Sequence, residues 1–223
     1  CFVLLSCAEL QQVVNTLPQA GMDPTMIAQG LRQALDFGID KQVSKLTQRD
    51  GFYKNNLVKI LLPQELQKVE NTLRDIGLGS LADEGLLLLN RAAEDAVKTA
   101  TPIFVDAVKE ITFNDARNIL LGPDNAATNY LERKTNATLY SKFNPVIKNS
   151  FQRVGADDIW ENIITKYNAI PLVNKVNPDL TDYVTNEALQ GVYTMISVEE
   201  KKIRTNISAR STTLLRQVFA LQD

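Results

Sequence analysis

The sequence contains no histidine, and this absence excludes several of the commonest catalytic and metal sites. Its two cysteines, Cys1 and Cys7, both lie within the first seven residues, so the rest of the chain has neither an imidazole nor a thiol. A Ser-His-Asp or Cys-His arrangement therefore cannot form. The usual nitrogen and sulfur ligands of zinc, copper and iron are also missing. We expect no metal and no cofactor.

Strong charge and long apolar runs are missing as well. The formal net charge is −2 over 223 residues. This balance gives no electrostatic footprint for nucleic acid and no basic run that would attract an anionic membrane surface. No segment reaches the roughly 18 apolar residues that a membrane-spanning helix needs. We therefore expect neither a nucleic-acid partner nor a transmembrane segment.

The first residues, CFVLLSCAE, indicate an export signal. An apolar run followed by a small residue is typical of the end of a secretory signal peptide. Residues 4–7, LLSC, resemble the bacterial lipobox, in which the cysteine becomes the lipidated first residue. We predict a signal-peptide remnant over residues 1–6, lipidation of Cys7 and a tether over residues 7–24. The alternative is a buried N-terminal strand or helix start with a Cys1–Cys7 disulfide.

Acyl chains on Cys7 would hold the protein firmly on a membrane, because each buried CH₂ contributes roughly 0.8 kcal/mol. By analogy with other lipoproteins, Ala8 after the cysteine suggests the outer membrane. Glu9 alone is a poor match to the acidic run of surface-exported lipoproteins. The expected location is therefore the outer membrane of a Gram-negative bacterium, with the protein facing the periplasm.

Apolar residues recur at helical spacing through nearly all of the remaining chain. Pro24 suits the first position of a helix. We predict a single, bundle-like all-α domain over residues 25–223 with about ten helices. Residues 57–62 are the candidate for one short extended segment, although so short an apolar run is ambiguous. The first predicted helix has an apolar stripe of Ile27, Leu31, Leu35, Ile39, Val43 and Leu46.

Prolines and capping patterns predict where the middle helices begin and end. Residues 81–111 form one long helical pattern that Pro102 should kink or divide. Thr112 and Asp115 resemble a capping box that opens the next helix. Two further helices are predicted, over about 124–134 and 136–154, and Pro145 interrupts the second.

Near the C-terminus, residues 197–200 resemble a second capping box. The charge run EEKK over residues 199–202 is predicted to be a solvated helix face.

Three polar residues stand within about one turn of the predicted helix over residues 81–111. Arg91 and Glu94 are spaced i, i+3 and can form an ion pair beside Asn90. The small residues around them would let another helix approach and bury these groups, and buried charges must be paired. Polar residues on the following elements could complete a network. The candidate set is Asn90, Arg91, Glu94, Asp115, Thr128 and Tyr130.

Two interpretations of this set remain open. It either lines a polar pocket or forms a structural network that fixes how the helices cross. Capping alone would explain Asp115. Glu94 and Asp115 together also leave open the hypothesis of a carboxylate-dependent hydrolase. Such an enzyme needs an acid with a raised pKa and often a second carboxylate about 5–10 Å away.

Several short strings resemble the bacterial family catalogued as domain of unknown function 4197. The strings are DGFY (50–53), KILLP (59–63), NRAAE (90–94), TFNDA (112–116), ILLG (119–122), AATNY (126–130) and FNP (143–145). They occur in family order and cover most of the chain. The resemblance implies an exported helical protein, often with a lipoprotein signal, and brings no assigned activity or catalytic residue.

Three hypotheses for the function follow. The first is a non-enzymatic envelope protein that binds a protein partner or scaffolds an assembly. The second is a carrier of a small molecule or lipid-like ligand in a cavity between helices, with Arg91 at its mouth. The third is a carboxylate-dependent cell-wall hydrolase. The composition favours a non-enzymatic role.

Overall fold

The structure is a computed structural model that describes residues 24–75, 77, 79–153, 165, 175 and 179–220. Over these residues the chain is all-helical, with eight α-helices, one short 3-10 helix over Ile207–Ala209 and no β-strand. The helices are α1 (Pro24–Leu46), α2 (Gln64–Asp75), α3 (Gly79–Val97), α4 (Ala100–Lys109), α5 (Phe113–Leu120), α6 (Ala126–Gln152), α7 (Leu180–Thr205) and α8 (Thr213–Phe219).

Helix α7 lies at the centre of the described bundle. It packs most extensively along α6, and it also contacts α1 and α3. Helix α1 starts at Pro24, as predicted, and packs against α4, α5, α7 and α8. Its predicted apolar stripe is buried except for the partly exposed Ile27. The all-α class predicted from the apolar periodicity is confirmed.

The predicted number of about ten helices is not borne out, since the part of the chain that the structure describes holds eight α-helices. Residues 124–134 and 136–154 were assigned to two helices, but Ala126–Gln152 is one helix with Pro145 in its interior. An interior proline removes one hydrogen bond and costs about 3 kcal/mol. Here Phe143, Ile147 and Phe151 are completely buried on both sides of the proline. Their packing holds the helix together across it.

The helix start predicted by the capping box at residues 197–200 was also wrong. The supposed capping box at residues 197–200 lies inside Leu180–Thr205, and the real cap is Asp179, whose side chain accepts from the Asp182 N–H. A Ser-x-x-Glu pattern marks a helix start only where the backbone before it is non-helical. The sequence alone does not reveal that condition.

The long pattern over residues 81–111 is two helices, divided before Pro102. Helix α3 ends at Val97 and α4 starts at Ala100. Pro102 therefore lies in the first turn of α4, where its missing N–H would have no intrahelical partner. The capping box of Thr112 and Asp115 is confirmed, because each side chain accepts a hydrogen bond from the other residue's backbone N–H.

The predicted extended segment at residues 57–62 is irregular and forms no strand. It belongs to the connection between α1 and α2, residues 47–63. Cys7 and residues 7–23 of the predicted tether lie outside the described residues. Among the helices that the structure describes, none is long and apolar enough to cross a membrane.

Candidate functional site

The connection between α1 and α2 is held by side chains of α3. The Asn90 amide nitrogen donates to the Ile60 carbonyl at 2.9 Å, and its amide oxygen accepts from the Ile60 N–H at 2.9 Å. The same nitrogen donates to the Leu86 carbonyl at 2.7 Å. Asn90 is completely buried. It gives Ile60 the two hydrogen bonds that a neighbouring strand would otherwise supply.

One turn further along α3, Glu94 and Arg91 hold the start of this connection. The Glu94 carboxylate accepts from the Phe52 N–H at 3.2 Å and from Arg91 at 2.5 Å. Arg91 also donates to the carboxylate of Asp50, which pairs with Lys54 at 2.8 Å. These hydrogen bonds and charges hold the pKa of Asp50 below its usual value and raise that of Arg91. Both groups therefore stay charged near neutral pH.

Few residue types fit the turn at residues 50–52. Asp50 has φ of 69°, in the left-handed region that asparagine, aspartate and glycine adopt most readily. A Cβ on Gly51 would lie 2.5 Å from the carbonyl oxygens of Lys45 and Leu46. The following Phe52 is completely buried, and it would contact a Cβ on Gly191 of α7 at 2.7 Å. The connection therefore lies directly on the end of α1 and on α7.

Two leucines of this connection point outwards although its backbone is held. Leu57 is 62% exposed and Leu61 is 52% exposed. The Leu61 carbonyl accepts from the Tyr183 hydroxyl at 2.9 Å. Between the leucines, the Lys59 ammonium lies 4.4 Å from the centre of the Tyr53 ring. We call residues 47–63, with these exposed side chains, the braced loop.

A second polar cluster, not predicted from the sequence, joins α5, α6 and α7. The Glu200 carboxylate accepts from the backbone N–H groups of Ala127 and Thr128, at 2.9 and 2.8 Å, and from the Thr128 hydroxyl at 2.7 Å. Arg204 pairs with it at 2.8 Å. A carboxylate at the first turn of α6 is favoured by the free N–H groups and the helix dipole.

Arg204 also completes the C-terminal end of α5. Its guanidinium donates to the carbonyls of Ile119 and Leu120, at 2.8 and 3.1 Å. These carbonyls belong to the last turn of α5, which lacks intrahelical donors. Glu200 and Arg204 are each only 7% exposed. The pair thus fixes the end of one helix and the start of the next against α7.

The predicted solvated face at residues 199–202 was wrong for its two acidic members. Glu199 is 5% exposed and accepts from Gln42 at 2.8 Å and from Lys41 at 2.5 Å. Lys201 and Lys202 are exposed, as expected. A four-residue charge run spans a full helical turn, so part of it must face the core when the helix is central.

Asp115 and Tyr130 lie together beside an open pocket between α5 and α6. The pocket has a volume of about 260 Å³. Its other lining residues are Asn118, Ile119, Pro123, Ala126, Asn129 and Arg133. The Tyr130 hydroxyl is buried and has no hydrogen-bond partner among the described residues. Asp115 accepts from the hydroxyl and the N–H of Thr112, which lowers its pKa, so it is a carboxylate near neutral pH.

An apolar gap between α1 and α7 is much smaller. It has a volume of about 20 Å³ and is lined by Leu35, Ile39, Ile196 and Phe219, among others. A volume near this value holds one water molecule. Over the described residues, no group of three or more acidic or cysteine side chains is arranged to hold a metal ion.

The six candidate residues fall into three separate places. Asn90, Arg91 and Glu94 hold the braced loop, and Thr128 belongs to the Glu200–Arg204 cluster. Asp115 and Tyr130 line the pocket between α5 and α6.

The strings that suggested a family meet in these same places. DGFY and KILLP contact NRAAE through Phe52, Asp50 and Ile60. ILLG and AATNY are joined by Glu200 and Arg204. A family model described as "Protein of unknown function (DUF4197)" matches residues 21–220.

The chain belongs to this family. The resemblance inferred from the short strings is therefore confirmed. None of the curated proteins and none of the solved structures matches the chain. Membership of the DUF4197 family carries no assigned activity.

We predict that Asn90→Ala destabilises the protein by about 3 kcal/mol, because it leaves both buried backbone groups of Ile60 without partners. Asp95→Ala, on the exposed side of the same helix, is the control and should change stability by less than about 0.5 kcal/mol. Urea denaturation measures both. Equal stabilities of the two variants would contradict the structural role of Asn90.

Glu200→Ala should lower the free energy of unfolding by about 3–5 kcal/mol, since it leaves Arg204 buried without its carboxylate and uncaps α6. The matched control is Lys202→Ala, two residues away on the exposed face of α7. A loss for Glu200→Ala no larger than that of the control, measured by the same denaturation, would show that the cluster does not join the three helices.

Proposed function

We propose that this protein is a non-enzymatic component of the bacterial cell envelope that binds a protein partner through the braced loop. Lipidation at Cys7 would tether it to the outer membrane, facing the periplasm. The main support for this binding surface is the exposure of Leu57 and Leu61 on a backbone that side chains of α3 hold in place.

An ordered connection of this length needs an explanation. Loops longer than about 12–15 residues without secondary structure are uncommon in compact domains, and they are usually functional or disordered. Residues 47–63 contain no helix or strand, yet buried side chains bond the backbone at Phe52 and Ile60. A rigid loop loses little conformational entropy when a partner binds, and this favours affinity. Leu57 and Leu61 would supply apolar contacts.

The carboxylates give little support to a hydrolase. Glu94 is 4% exposed and is fully engaged by Phe52 and Arg91. Desolvation raises the pKa of Asp36 and Glu187, but both residues are exposed and neither lines either of the two pockets described above. An acid catalyst needs a raised pKa inside a cleft that holds the substrate. No described carboxylate combines the two in these pockets.

The cavity volume argues against a lipid carrier. The apolar gap beside α7 has room for about one water molecule. Arg91 pairs with Asp50 of the braced loop and lines neither this gap nor the pocket between α5 and α6. This limit on volume does not apply to a small polar ligand, because the pocket between α5 and α6 is larger.

The partner-binding proposal predicts site-specific photo-crosslinking. A photoreactive amino acid in place of Leu57 or Leu61, in the full-length protein expressed in its own bacterium, should give one discrete adduct, shared by both positions. Leu121 and Ile207 are the matched controls, because each is 62% exposed and lies outside the braced loop. They should give no such adduct.

Two outcomes would refute the braced loop as the binding surface. One is the absence of any adduct at positions 57 and 61. The other is the same set of adducts at all four positions, which would indicate random collision. Mass spectrometry of the adduct then identifies the partner.

The tether is tested independently. The protein extracted from its own membranes should begin at Cys7 and carry the mass of several acyl chains, and Cys7→Ala should release it from the membrane fraction. Intact-protein mass spectrometry and fractionation measure this. An unmodified N-terminus upstream of Cys7 would disprove lipidation but leave the crosslinking result intact.

A further inference from the structure

The Tyr130 hydroxyl is a buried polar group without a partner. Tyr130 is 5% exposed, and no described residue hydrogen-bonds its oxygen. Burial, helped by the charges of Asp115 and Glu110, raises its pKa, so the hydroxyl keeps its proton at neutral pH. The large majority of buried polar side-chain atoms in native proteins have a partner. Tyr130 lines the pocket between α5 and α6, but its hydroxyl is closed off there, so a ligand would become its partner only when the side chains around the hydroxyl move.

The pocket offers further unused polar groups. The side chains of Asn118, Asn129 and Arg133 line it and make no hydrogen bond with any described residue. On α6, Arg133 follows Asn129 by four residues and Tyr130 by three, so its side chain lies next to each of theirs. Helix α6 therefore offers the pocket two open donors, Asn129 and the permanent cation Arg133, beside Tyr130.

The opposite helix supplies a negative charge. Asp115, in the first turn of α5, binds Thr112 through only one of its carboxylate oxygens, Oδ2. The other oxygen has no partner among the described residues. Hydrogen bonds from Thr112 hold the pKa of Asp115 low, so the group is ionised near neutral pH. The pocket thus has a cation and an anion on its two walls.

These features identify the ligand by its chemistry. A simple anion would meet Arg133 but would be repelled by Asp115, and a simple cation would face the reverse problem. A zwitterion satisfies both charges, and Ile119, Pro123 and Ala126 provide an apolar wall between them. The volume of about 260 Å³ lies just below the range typical of drug-sized ligands, so the molecule is small.

We propose that this pocket binds a small zwitterion, a free amino acid or a dipeptide. Its carboxylate would pair with Arg133, its ammonium group would pair with Asp115, and the carboxylate would also accept from Tyr130 once that hydroxyl is uncovered. The proposal is independent of the partner surface on the braced loop, and either can fail without the other.

The test is calorimetric titration of the mature full-length protein in detergent. The probes are glycine, alanyl-alanine, and alanyl-alanine with its N-terminus acetylated or its C-terminus amidated. We expect saturable binding of glycine or of free alanyl-alanine, and affinity at least about tenfold lower for either blocked form, because each loses one charged hydrogen-bonding end. Absence of binding by both free probes, or equal binding of free and blocked dipeptide, would overturn the proposal.

Variants separate binding from folding. Arg133→Gln should weaken binding of the free probe by about tenfold or more, and Tyr130→Phe by about three- to tenfold. Tyr130→Phe should leave the Tm of the unliganded protein unchanged or higher, since it removes an unsatisfied buried hydroxyl. Arg117→Gln, on α5 outside the pocket lining, is the charge-matched control and should bind normally. Unchanged binding by Arg133→Gln, or an equal loss in Arg117→Gln, would show that the pocket is not the site.

Discussion

The structure depends on hydrogen bonds between polar side chains of α3 and the backbone of the connection between α1 and α2. A buried backbone N–H or C=O must find a partner, and residues 47–63 have no helix or strand to provide one. Asn90 serves both groups of Ile60, and Glu94 accepts from Phe52. These bonds let Phe52 pack completely buried beside α7, while Leu57 and Leu61 stay exposed. Core packing and surface display in this region therefore rest on the same few side chains.

The Glu200–Arg204 cluster applies the same principle at the α5–α6 junction. The Glu200 carboxylate accepts hydrogen bonds from two N–H groups of α6, and the Arg204 guanidinium donates to two carbonyls of α5. Buried ion pairs often contribute little net stability because desolvation offsets their attraction. This pair contributes mainly by positioning the helices. The same two side chains hydrogen-bond the unpaired backbone groups at the end of α5 and the start of α6, and they hold both ends against α7. The pocket of Asp115, Tyr130 and Arg133 lies beside this junction, along the same two helices.

The sequence predicted the helical class, the capping box of Thr112 and Asp115, and the family, because each depends on local patterns or short strings. It also selected Asn90, Arg91 and Glu94 as polar groups held among small residues. It did not reveal their partners, since the backbone of Phe52 and Ile60 is distant along the chain. Glu199 and Glu200 were missed because a charge run is ambiguous until the central place of α7 is known. The interruption predicted at Pro145 was wrong because tertiary packing outweighed the tendency of proline to break a helix.

Native-state hydrogen exchange of the braced loop measures whether the α3 side chains hold its backbone. If they do, the Phe52 and Ile60 amides exchange only through global unfolding, as slowly as amides in the middle of α3. The amide of the exposed Leu57, which bonds only to the side chain of Asn55 at 3.2 Å, should exchange rapidly in the same experiment. Fast exchange at Phe52 and Ile60, equal to that of Leu57, would show that the α3 side chains do not hold the loop.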